Sequence, residues 1–317
     1  MTTSSILIIE STVYPGAVEE EVIPVLSETG RRAGEDYRIA YSPERIDPGS
    51  KRFGIRNTPK VIGGQDLEST GLGALLYWQI VETVVPVSGI QVAEMTKIVE
   101  NAFRNVNIAF VNELAKVCKK LSVDVWEVLG AAATKPFGYM PFRPGPGIGG
   151  HCIPIDPVYL TWKLKKQNIS FRMIEEADAI NTGMPDFVVE IIGKEMNRRG
   201  KSLEGSNLLV LGTAFKKDIN DCRESPSLIL MEKLLEMGAN VCYHDPYIET
   251  VTVKGKTYGS IELTDTALAA ADWDREAPGI REALRQGIAG DAERPEPAFS
   301  PNCRASRPKL PKKTYTS

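Results

Sequence analysis

The longest helical pattern in this sequence runs from Gln91 to Leu121 and contains neither proline nor glycine. An uninterrupted α-helix of that length would span roughly 45 Å at about 1.5 Å per residue. Most of its apolar residues follow one helical stripe, namely Val92, Met95, Val99, Ala102, Val106, Ala109, Phe110 and Val117. Such a helix either connects two domains or forms the seam of a dimer, so we expect it to organise the chain.

Strand and helix patterns alternate on both sides of this helix, which indicates an α/β fold. Further helical patterns follow it, and 201–206 has the composition of a linker. We therefore predict an α/β unit over 1–88, a helical unit over 89–200 and a partial α/β unit over 201–272. The remaining tail, 273–317, is rich in proline and arginine and is predicted to be disordered.

Composition argues against several classes of function. The net charge of −3 gives no electrostatic reason to expect a nucleic-acid partner. The first apolar run, Ile6 to Ile9, is too short to cross a membrane. The five cysteines are scattered without a CxxC pair, and there are only two histidines, so we expect neither disulfides nor a bound metal. This cysteine usage fits a reducing compartment, and we expect a cytoplasmic protein.

The stretch PGPGIGGHCIPIDP, residues 144–157, is too rich in proline and glycine for a central strand or an ordinary helix. A helix is predicted to begin near Ile155, which would place Cys152 just before its N-terminus. The helix dipole favours a thiolate there, and Gly147, Gly149 and Gly150 leave room for a ligand or allow unusual backbone dihedral angles. Many free cysteines are simply small buried hydrophobes, but this setting favours a nucleophile.

Lys97 and Asn101 lie four residues apart on the long helix and therefore share one of its faces. A cation and an amide aimed at one point can stabilise a developing oxyanion. A solvated charge beside a polar neighbour is the ordinary alternative, and spacing alone does not separate the two interpretations.

Polar residues also follow two predicted strands of the first unit. Glu44 comes after one strand, and Ser11 and Thr12 come after another. Ligands bind at the carboxyl ends of strands in open α/β sheets. A surface ion pair between Glu44 and Arg45 is the alternative.

Basic residues collect between a strand and a helix of the third region, at Lys216, Lys217 and Arg223. Cations near a helix N-terminus suit a phosphate group. Because no GxGxxG follows this strand, the usual dinucleotide signature is absent there, and binding of another kind of diphosphate remains an alternative.

Taken jointly and in order, motifs over about residues 5 to 272 resemble those of the nucleotide-sugar 6-dehydrogenases, the family that acts on UDP-glucose, UDP-N-acetylmannosamine and UDP-N-acetylglucosamine. The motifs are ESTVYPG, YSPERIDPG, VAEMTKIVENAFRNVNIAFVNE, KPFGYMPFRPGPGIGGHCIPIDPVYLTWK, INTGMPD and LGTAFKKDINDCRESPS. The long form of the segment around Cys152 is most similar to the UDP-N-acetylglucosamine branch.

The resemblance implies both a fold and a reaction. The fold would be an incomplete N-terminal Rossmann-type domain for NAD, a central helical dimerisation domain and a partial C-terminal Rossmann-like domain for UDP. The reaction would oxidise C6 of a UDP-sugar twice, from alcohol to acid, using NAD in surface polysaccharide synthesis. Cys152 would capture the aldehyde as a thiohemiacetal and then hold a thioester that water hydrolyses. The long helix would form a homodimer.

The matching motifs also imply roles for other residues. The catalytic roles would be oxyanion stabilisation by Lys97 and Asn101, water activation by Asp156, acid/base chemistry by Glu44 and a bridging water on Thr12. Arg223 would contact the diphosphate of the cofactor, and Ser11 would also contact the cofactor. The substrate would be contacted by Lys216, Gly149, Gly150 and Phe142.

Parts of the family pattern have no counterpart in this sequence. These are the opening strand, the GxGxxG turn and the ribose-binding acid of the NAD domain, so 1–88 is expected to be the later part of that domain. The tail after Asp272 does not resemble the family either. Three alternatives follow: an inactive fragment that only dimerises or binds UDP-sugar, a UDP-glucose or UDP-N-acetylmannosamine dehydrogenase, and an unrelated reductase with Cys152 as a redox thiol.

Overall fold

The structure is a computed structural model that describes residues 5–46 and 52–272. The tail predicted over 273–317 lies outside the described residues. A strand-rich unit, a set of helices around the long helix and a second α/β unit follow one another along the described chain. The predicted fold class is therefore confirmed.

Four strands form the N-terminal sheet in chain order: β1 (Ile6–Ile9), β2 (Arg38–Tyr41), β3 (Lys60–Gly64) and β4 (Val84–Pro86). The β1–β2 and β3–β4 pairs are parallel, whereas β2 and β3 are antiparallel. The carboxyl ends of β1 and β2 therefore share an edge with the amino end of β3. Helix α2 (Leu67–Tyr77) packs on the sheet, and the Asp66 side chain caps it by accepting from the backbone N–H of Ser69.

The chain leaving β1 enters a π-helical turn, Val18–Val22, that continues into α1 (Ile23–Ser27). The fully buried Glu94 of the long helix accepts hydrogen bonds from the backbone N–H groups of Gly16, at 2.5 Å, and Val18, at 3.0 Å. Donors at the start of a helix have no partner within it. Glu94 therefore ties the segment after β1 to the long helix.

The long helix α3 spans Ile90–Leu121, and the next four helices along the chain are α4 (Val125–Ala132), α5 (Cys152–Lys165), α6 (Arg172–Thr182) and α7 (Met184–Arg198). Helices α5 and α6 pack along α3. The exposed side of α3 carries five residues of the predicted apolar stripe, Val92, Met95, Val99, Phe110 and Val117. Most of the stripe therefore faces outward, although its Ala109 is buried, and a more polar face of α3 is buried against its neighbours.

The C-terminal unit pairs β5 (Asn207–Leu211) in parallel with β6 (Asn240–His244), with α8 (Pro226–Glu236) between them in sequence. A hairpin of β7 (Thr250–Val253) and β8 (Lys256–Gly259) and a short α9 (Asp265–Ala270) follow. The hairpin was not predicted from the sequence. Its turn residues, Lys254 and Gly255, both have positive φ, and Lys-Gly is a weaker turn signal than Asn-Gly.

Helix α7 packs into the core of the C-terminal unit. Its Val189 and Met196 join a buried cluster with Leu230 and Leu234 of α8 and Tyr243 of β6. The predicted boundary at residue 200 groups α7 with the central helices instead, and the domain boundaries stay predictions. Among the helices of residues 5–46 and 52–272, none combines the length and the apolar character needed to cross a bilayer.

Candidate active site

Polar side chains meet where one face of α3 contacts the beginning of α5. Lys97, Asn101 and Asp156 are all buried there, and Asn101 Nδ2 donates to Asp156 Oδ2 at 2.5 Å. Cys152, four residues before Asp156 and therefore on the same side of α5, is a free thiol exposed to solvent. The structure thus brings together the two helix faces that carry four of the predicted catalytic residues.

Helix α5 begins at Cys152 itself, so the prediction of a start near Ile155 was wrong. Pro157 lies inside the helix and has no N–H to donate to the carbonyl of Ile153, four residues earlier. Asn105 of α3 replaces that donor, because its Nδ2 lies 3.2 Å from the Ile153 oxygen. A side chain from another helix therefore allows the helix to start before its prolines.

A ladder of amides anchors the loop that precedes Cys152. Asn112 Oδ1 accepts from the backbone N–H of Gly145, and Asn112 Nδ2 donates to Asn181 Oδ1, both at 2.9 Å. Asn181 Nδ2 in turn donates to the carbonyl of Asn105 at 3.1 Å. The buried face of α3 therefore fixes both the start of this loop and the helix at its end.

The glycines before Cys152 allow the loop to contact the C-terminal unit closely. A Cβ at Gly149 would lie 2.5 Å from Phe215 Cβ, and one at Gly150, where φ is +78°, would lie 2.8 Å from the Phe215 ring. Of the two alternatives for these glycines, room for a ligand is not what the structure shows at Gly149 and Gly150, because Phe215 occupies the space. The positive φ of Gly147 and Gly150 agrees with the other alternative, unusual backbone dihedral angles. The contact places the segment that carries the buried Lys216 beside the Cys152 loop.

Asp245, just after β6, holds the segment after β5 in place. Its Oδ2 accepts from the backbone N–H groups of Thr213 and Ala214, and its Oδ1 accepts from those of Tyr247 and Ile248. Burial alone would raise the pKa of Asp245, but these four donors hold it below its usual value. The ionised Asp245 carboxylate therefore fixes the conformation of the segments that follow β5 and β6.

Glu44 lies at the edge of the N-terminal sheet, next to α3. Its carbonyl accepts from Lys97 Nζ at 2.7 Å, and its carboxylate lies 3.5 Å from Lys60 Nζ. Arg45 pairs with Glu100 of α3 at 2.7 Å, so the alternative of a Glu44–Arg45 ion pair is not what the structure contains. The sheet edge and the long helix are therefore joined directly beside a predicted acid/base residue.

The other two residues predicted at this edge follow β1. Ser11 is exposed and Thr12 is half-buried. Because β1 and β2 are parallel, both residues share an edge with the loop that carries Glu44. Their predicted contacts to cofactor and water stay predictions.

The Asp156 carboxyl is the most strongly enclosed acid of the cluster, with an exposed fraction of 4%. Burial raises its pKa, and the hydrogen bond from Asn101 and the charges of Lys97 and Arg104 offset part of that rise. A carboxyl group with a raised pKa can exchange a proton nearer neutral pH, as a group that activates water must.

Arg223 is exposed and forms a two-point pair with Asp221, with Nε–Oδ1 at 2.9 Å and Nη2–Oδ2 at 2.6 Å. This pair holds the pKa of Asp221 below its usual value, and His151 contributes a smaller effect. Both residues line a cavity of about 540 Å³ formed by the loops after β5 and β6, together with Tyr247 and Thr250. The predicted contact from Arg223 to a diphosphate stays a prediction.

Three family models match successive parts of the chain. They are described as the NAD binding domain, the central domain and the UDP binding domain of the UDP-glucose/GDP-mannose dehydrogenase family, and they match residues 1–81, 91–183 and 209–275. UDP-N-acetyl-D-mannosamine dehydrogenase of Campylobacter jejuni is 33% identical over 285 residues, which are 87% of this chain and 68% of that protein. The chain belongs to the UDP-glucose/GDP-mannose dehydrogenase family.

Two further relatives and one solved structure support this family assignment. UDP-N-acetyl-D-glucosamine 6-dehydrogenase of Pseudomonas aeruginosa is 40% identical over 77% of this chain and 58% of the relative, and that of Salmonella typhi is 37% identical over 82% and 61%. The structure of UDP-D-ManNAc dehydrogenase from Pyrococcus horikoshii superposes with a TM-score of 0.77 at 32% identity, over 86% of this chain and 62% of that one. The chain thus spans about three fifths of the length of these relatives.

The match to the family's NAD binding domain confirms NAD as the predicted cofactor of this family. In the described residues, however, the glycine pair that ends β3 is filled by protein. A Cβ at Gly63 would lie 2.1 Å from the Gly89 oxygen, and one at Gly64 would lie 2.4 Å from the Thr70 nitrogen. No other strand of the described sheet ends in a glycine-rich turn. This glycine pair therefore belongs to the close packing of β3 against the start of α3 and against α2, and it is not itself the diphosphate-binding turn of the NAD site.

The structure adds three residues that were not predicted from the sequence, Arg104, Asn105 and Lys60. Arg104 and Asn105 follow Asn101 by three and four residues, and this helical spacing was the available signal. Lys60 contacts Glu44 only through the sheet pairing, which the sequence does not display. Phe142, by contrast, is 8% exposed in a cluster with Ile108 and Leu129, so its role in substrate binding stays a prediction without support from this packing.

Proposed function

We propose that this chain carries the oxidation centre of a nucleotide-sugar 6-dehydrogenase that converts C6 of UDP-N-acetylglucosamine from an alcohol to a carboxylate. The hydrogen bond from Asn101 to Asp156 carries this proposal, because it joins the predicted oxyanion-binding face of α3 to the turn that presents Cys152. The two UDP-N-acetyl-D-glucosamine 6-dehydrogenases, at 37% and 40% identity, favour this sugar over UDP-N-acetylmannosamine.

Cys152 acts on the aldehyde that the first oxidation leaves at C6. The thiolate forms a bond from Sγ to C6, and the carbonyl π electrons move to oxygen, which gives the thiohemiacetal as its alkoxide. The Lys97 ammonium and the Asn101 amide stabilise the negative charge on that oxygen. The start of α5 supports the thiolate, because a helix N-terminus stabilises negative charge.

The second oxidation converts the thiohemiacetal into a thioester, and water then releases the acid. NAD supplies the hydride acceptor for both oxidations when it is bound. Asp156 takes a proton from the attacking water, the bond between C6 and Sγ breaks, and the sulfur leaves with its electron pair as the thiolate. The Lys216 segment, packed against the Cys152 loop through Phe215, closes the substrate side of this centre.

The protein acts as a homodimer in surface polysaccharide synthesis, with the outward stripe of α3 as its seam. Val99 and Phe110 are 57% and 59% exposed and lie on one side of the helix. An apolar stripe on a 32-residue helix supports association, because burying it removes apolar area from water.

The test follows NADH formation with UDP-N-acetylglucosamine and NAD for the chain and for its Cys152→Ser variant. We expect two NADH per sugar from the chain, and a rate at least about 10³-fold lower from the variant, since the serine hydroxyl is not ionised near neutral pH. The matched control is Cys242→Ser, a half-buried cysteine on β6, which is expected to retain the rate.

Two results would contradict this proposal. Turnover that survives in Cys152→Ser would exclude the covalent route. Absence of turnover in the chain, with thermal stabilisation by UDP-sugars retained, would instead support the inactive fragment that only binds UDP-sugar.

A further inference from the structure

Lys60, the first residue of β3, is a buried cation that lies between two carboxylates. Its Nζ lies 2.8 Å from Oε1 of Glu10, just after β1, and 3.5 Å from Oε2 of Glu44, in the segment after β2. We infer that Lys60 is a positioning residue that fixes the Glu44 carboxylate at the edge of the sheet and favours its ionised form. This inference rests on the proposed function and on the acid/base role predicted for Glu44.

The antiparallel pairing of β2 with β3 brings Lys60 to this edge. Tyr41, at the end of β2, pairs with Gly63, so the amino end of β3 lies beside the segment that leaves β2. The carboxyl end of β1 lies at the same edge, because β1 and β2 are parallel. In an all-parallel sheet the first residue of β3 would lie at the opposite edge. The strand reversal therefore places a cation at the edge where open α/β sheets bind ligands.

Burial keeps the Lys60 ammonium between the two carboxylates. Lys60 is 9% exposed, and its Nζ lies 5.1 Å from the centroid of the Tyr77 ring, at the end of α2. The Tyr77 hydroxyl in turn donates to Glu10 Oε1 at 2.5 Å. A buried charge needs partners of opposite charge, whereas the side chains of Glu10 and Glu44 are exposed. Lys60 is therefore the fixed member of this cluster, and it orients the two acids.

Glu44 has separate contacts to its carbonyl and to each carboxylate oxygen. The carbonyl accepts from Lys97 Nζ of α3, and Oε1 accepts from the backbone N–H groups of Arg45 and Ile46, all at 2.7 Å. Of these contacts, only that of Lys60 directs Oε2. Lys60 therefore sets the direction of the second carboxylate oxygen.

The charge of Lys60 acts on both acids. Burial raises the pKa of Glu10, but hydrogen bonds from Lys60 and Tyr77 and the charge of Lys60 bring it below its usual value. A base takes a proton only while it is ionised, and a cation beside Glu44 favours the form that can take the proton of a C6 hydroxyl. Without the cation, repulsion between the two acids would favour protonation of one of them. Further charged or titratable groups around Glu44 in the described residues are Tyr77 on α2, Lys97 and Glu100 on α3, and Arg45.

The experiment compares Lys60→Met with Lys60→Arg over a pH series. We expect Lys60→Met to lower kcat roughly 10- to 100-fold near neutral pH, while KM changes less than about threefold. The acid side of its kcat profile should move to higher pH, because Glu44 and Glu10 then repel each other without a cation between them. Lys60→Arg should restore part of kcat and return the profile towards its original position.

The matched control is Arg38→Met. Arg38 is a partly buried cation at the start of β2, at the opposite edge of the sheet, and it also lies near two carboxylates, those of Asp66 and Glu68. Its loss should leave kcat and the pH profile unchanged, which separates loss of a sheet cation from loss of the one beside Glu44. A pH profile that moves equally in Arg38→Met and Lys60→Met would overturn the inference.

A second readout does not depend on turnover. Carboxyl NMR of ¹³C-glutamate-labelled protein, assigned with Glu10→Gln and Glu44→Gln, should show both acids titrating at higher pH in Lys60→Met and near their original positions in Lys60→Arg. A titration that moves for Glu10 alone would overturn the inference, and so would a raised KM with unchanged kcat. A chain without turnover would contradict the proposed function alone, and the two titrations would still decide the role of Lys60.

If Lys60→Met does not fold, the ¹⁵N signal of the Lys60 ammonium in the unsubstituted chain replaces it. That signal should show two titration steps, one from each neighbouring acid, and Glu44→Gln should remove one of them. A single step that is the same in both proteins would show that Lys60 serves Glu10 only, and the inference would be wrong.

Discussion

Two buried aspartates of this protein have pKa values shifted in opposite directions, although their exposed fractions are similar, 4% for Asp156 and 6% for Asp245. Asp245 accepts from four backbone N–H groups, and these more than compensate for burial. Asp156 has one amide donor and two nearby cations, and burial prevails. The number of fixed donors, and not the depth of burial, therefore decides the direction of the pKa shift in these two aspartates.

The opposite shifts predict opposite pH dependence for the two Asp→Asn variants. The lowered pKa of Asp245 contributes stability above the unfolded value, about 3.9, and this is lost as pH falls through the folded pKa. Asp245→Asn should therefore be less stable than the unsubstituted chain near neutral pH, by about 1–3 kcal/mol, with a smaller difference in acid. Urea unfolding across a pH series measures this.

For Asp156 the sign reverses. Its raised pKa means that the ionised carboxylate costs stability, fully so above the folded pKa. The stability of Asp156→Asn relative to the unsubstituted chain should therefore rise as pH rises from the unfolded pKa through the folded one. If both variants followed the same trend in the same urea series, these assignments of the two shifts would be wrong.

At the scale of elements, the start of α5 depends on α3. Pro157 removes the backbone donor for the Ile153 carbonyl, and Asn105 supplies a replacement from the neighbouring helix. Asn105 therefore supports the turn that presents Cys152. Helix α5 lacks one backbone N–H donor at this position, and a side-chain donor from α3 takes its place, so the two helices are coupled there.

This coupling predicts a non-additive mutant cycle. Asn105→Ala should destabilise the protein by about 1–3 kcal/mol, because the Ile153 carbonyl loses its donor. In a Pro157→Ala background the same change should cost clearly less, since the alanine introduced there can donate its own N–H to Ile153. Urea unfolding of the two single variants and the double variant measures the coupling. Equal costs of Asn105→Ala in both backgrounds would show that the asparagine does not replace the missing donor.

At the scale of the whole molecule, α3 has two faces with different tasks. One buried face carries the polar cluster and the amide ladder, and the other exposes Val99, Phe110 and their neighbours. A long helix in this arrangement places the proposed seam of a dimer next to the proposed reaction centre.

The whole-molecule prediction is that Val99→Glu combined with Phe110→Glu separates the dimer. Two charges on the apolar stripe should weaken association by at least about 100-fold, because each would be buried unpaired at the seam. Light scattering after size-exclusion chromatography measures this, with Leu75→Glu, on the exposed side of α2, as the matched control. A dimer that persists in the double variant would place the interface elsewhere.

Most elements with a strong local signal could be predicted from the sequence. The long helix lacks proline and glycine, and its predicted span differs by one residue from Ile90–Leu121. Strands β1 to β6 also coincide with apolar runs between turn residues. The hairpin after Asp245 was missed because its two short strands rely on a Lys-Gly turn and on packing against the C-terminal core.

Local patterns in the chain were enough to establish the α/β class, the long helix, the family and the residue types at the candidate site, because helical spacing and ordered motifs are local properties. Three features became visible only in the folded molecule: α5 starts at Cys152, Phe215 fills the space over Gly149 and Gly150, and Arg104 shares an amide with Asp156. Each of these depends on a partner distant in sequence. Its physical basis, a replaced donor, a steric contact or a shared hydrogen bond, exists only once the chain has folded.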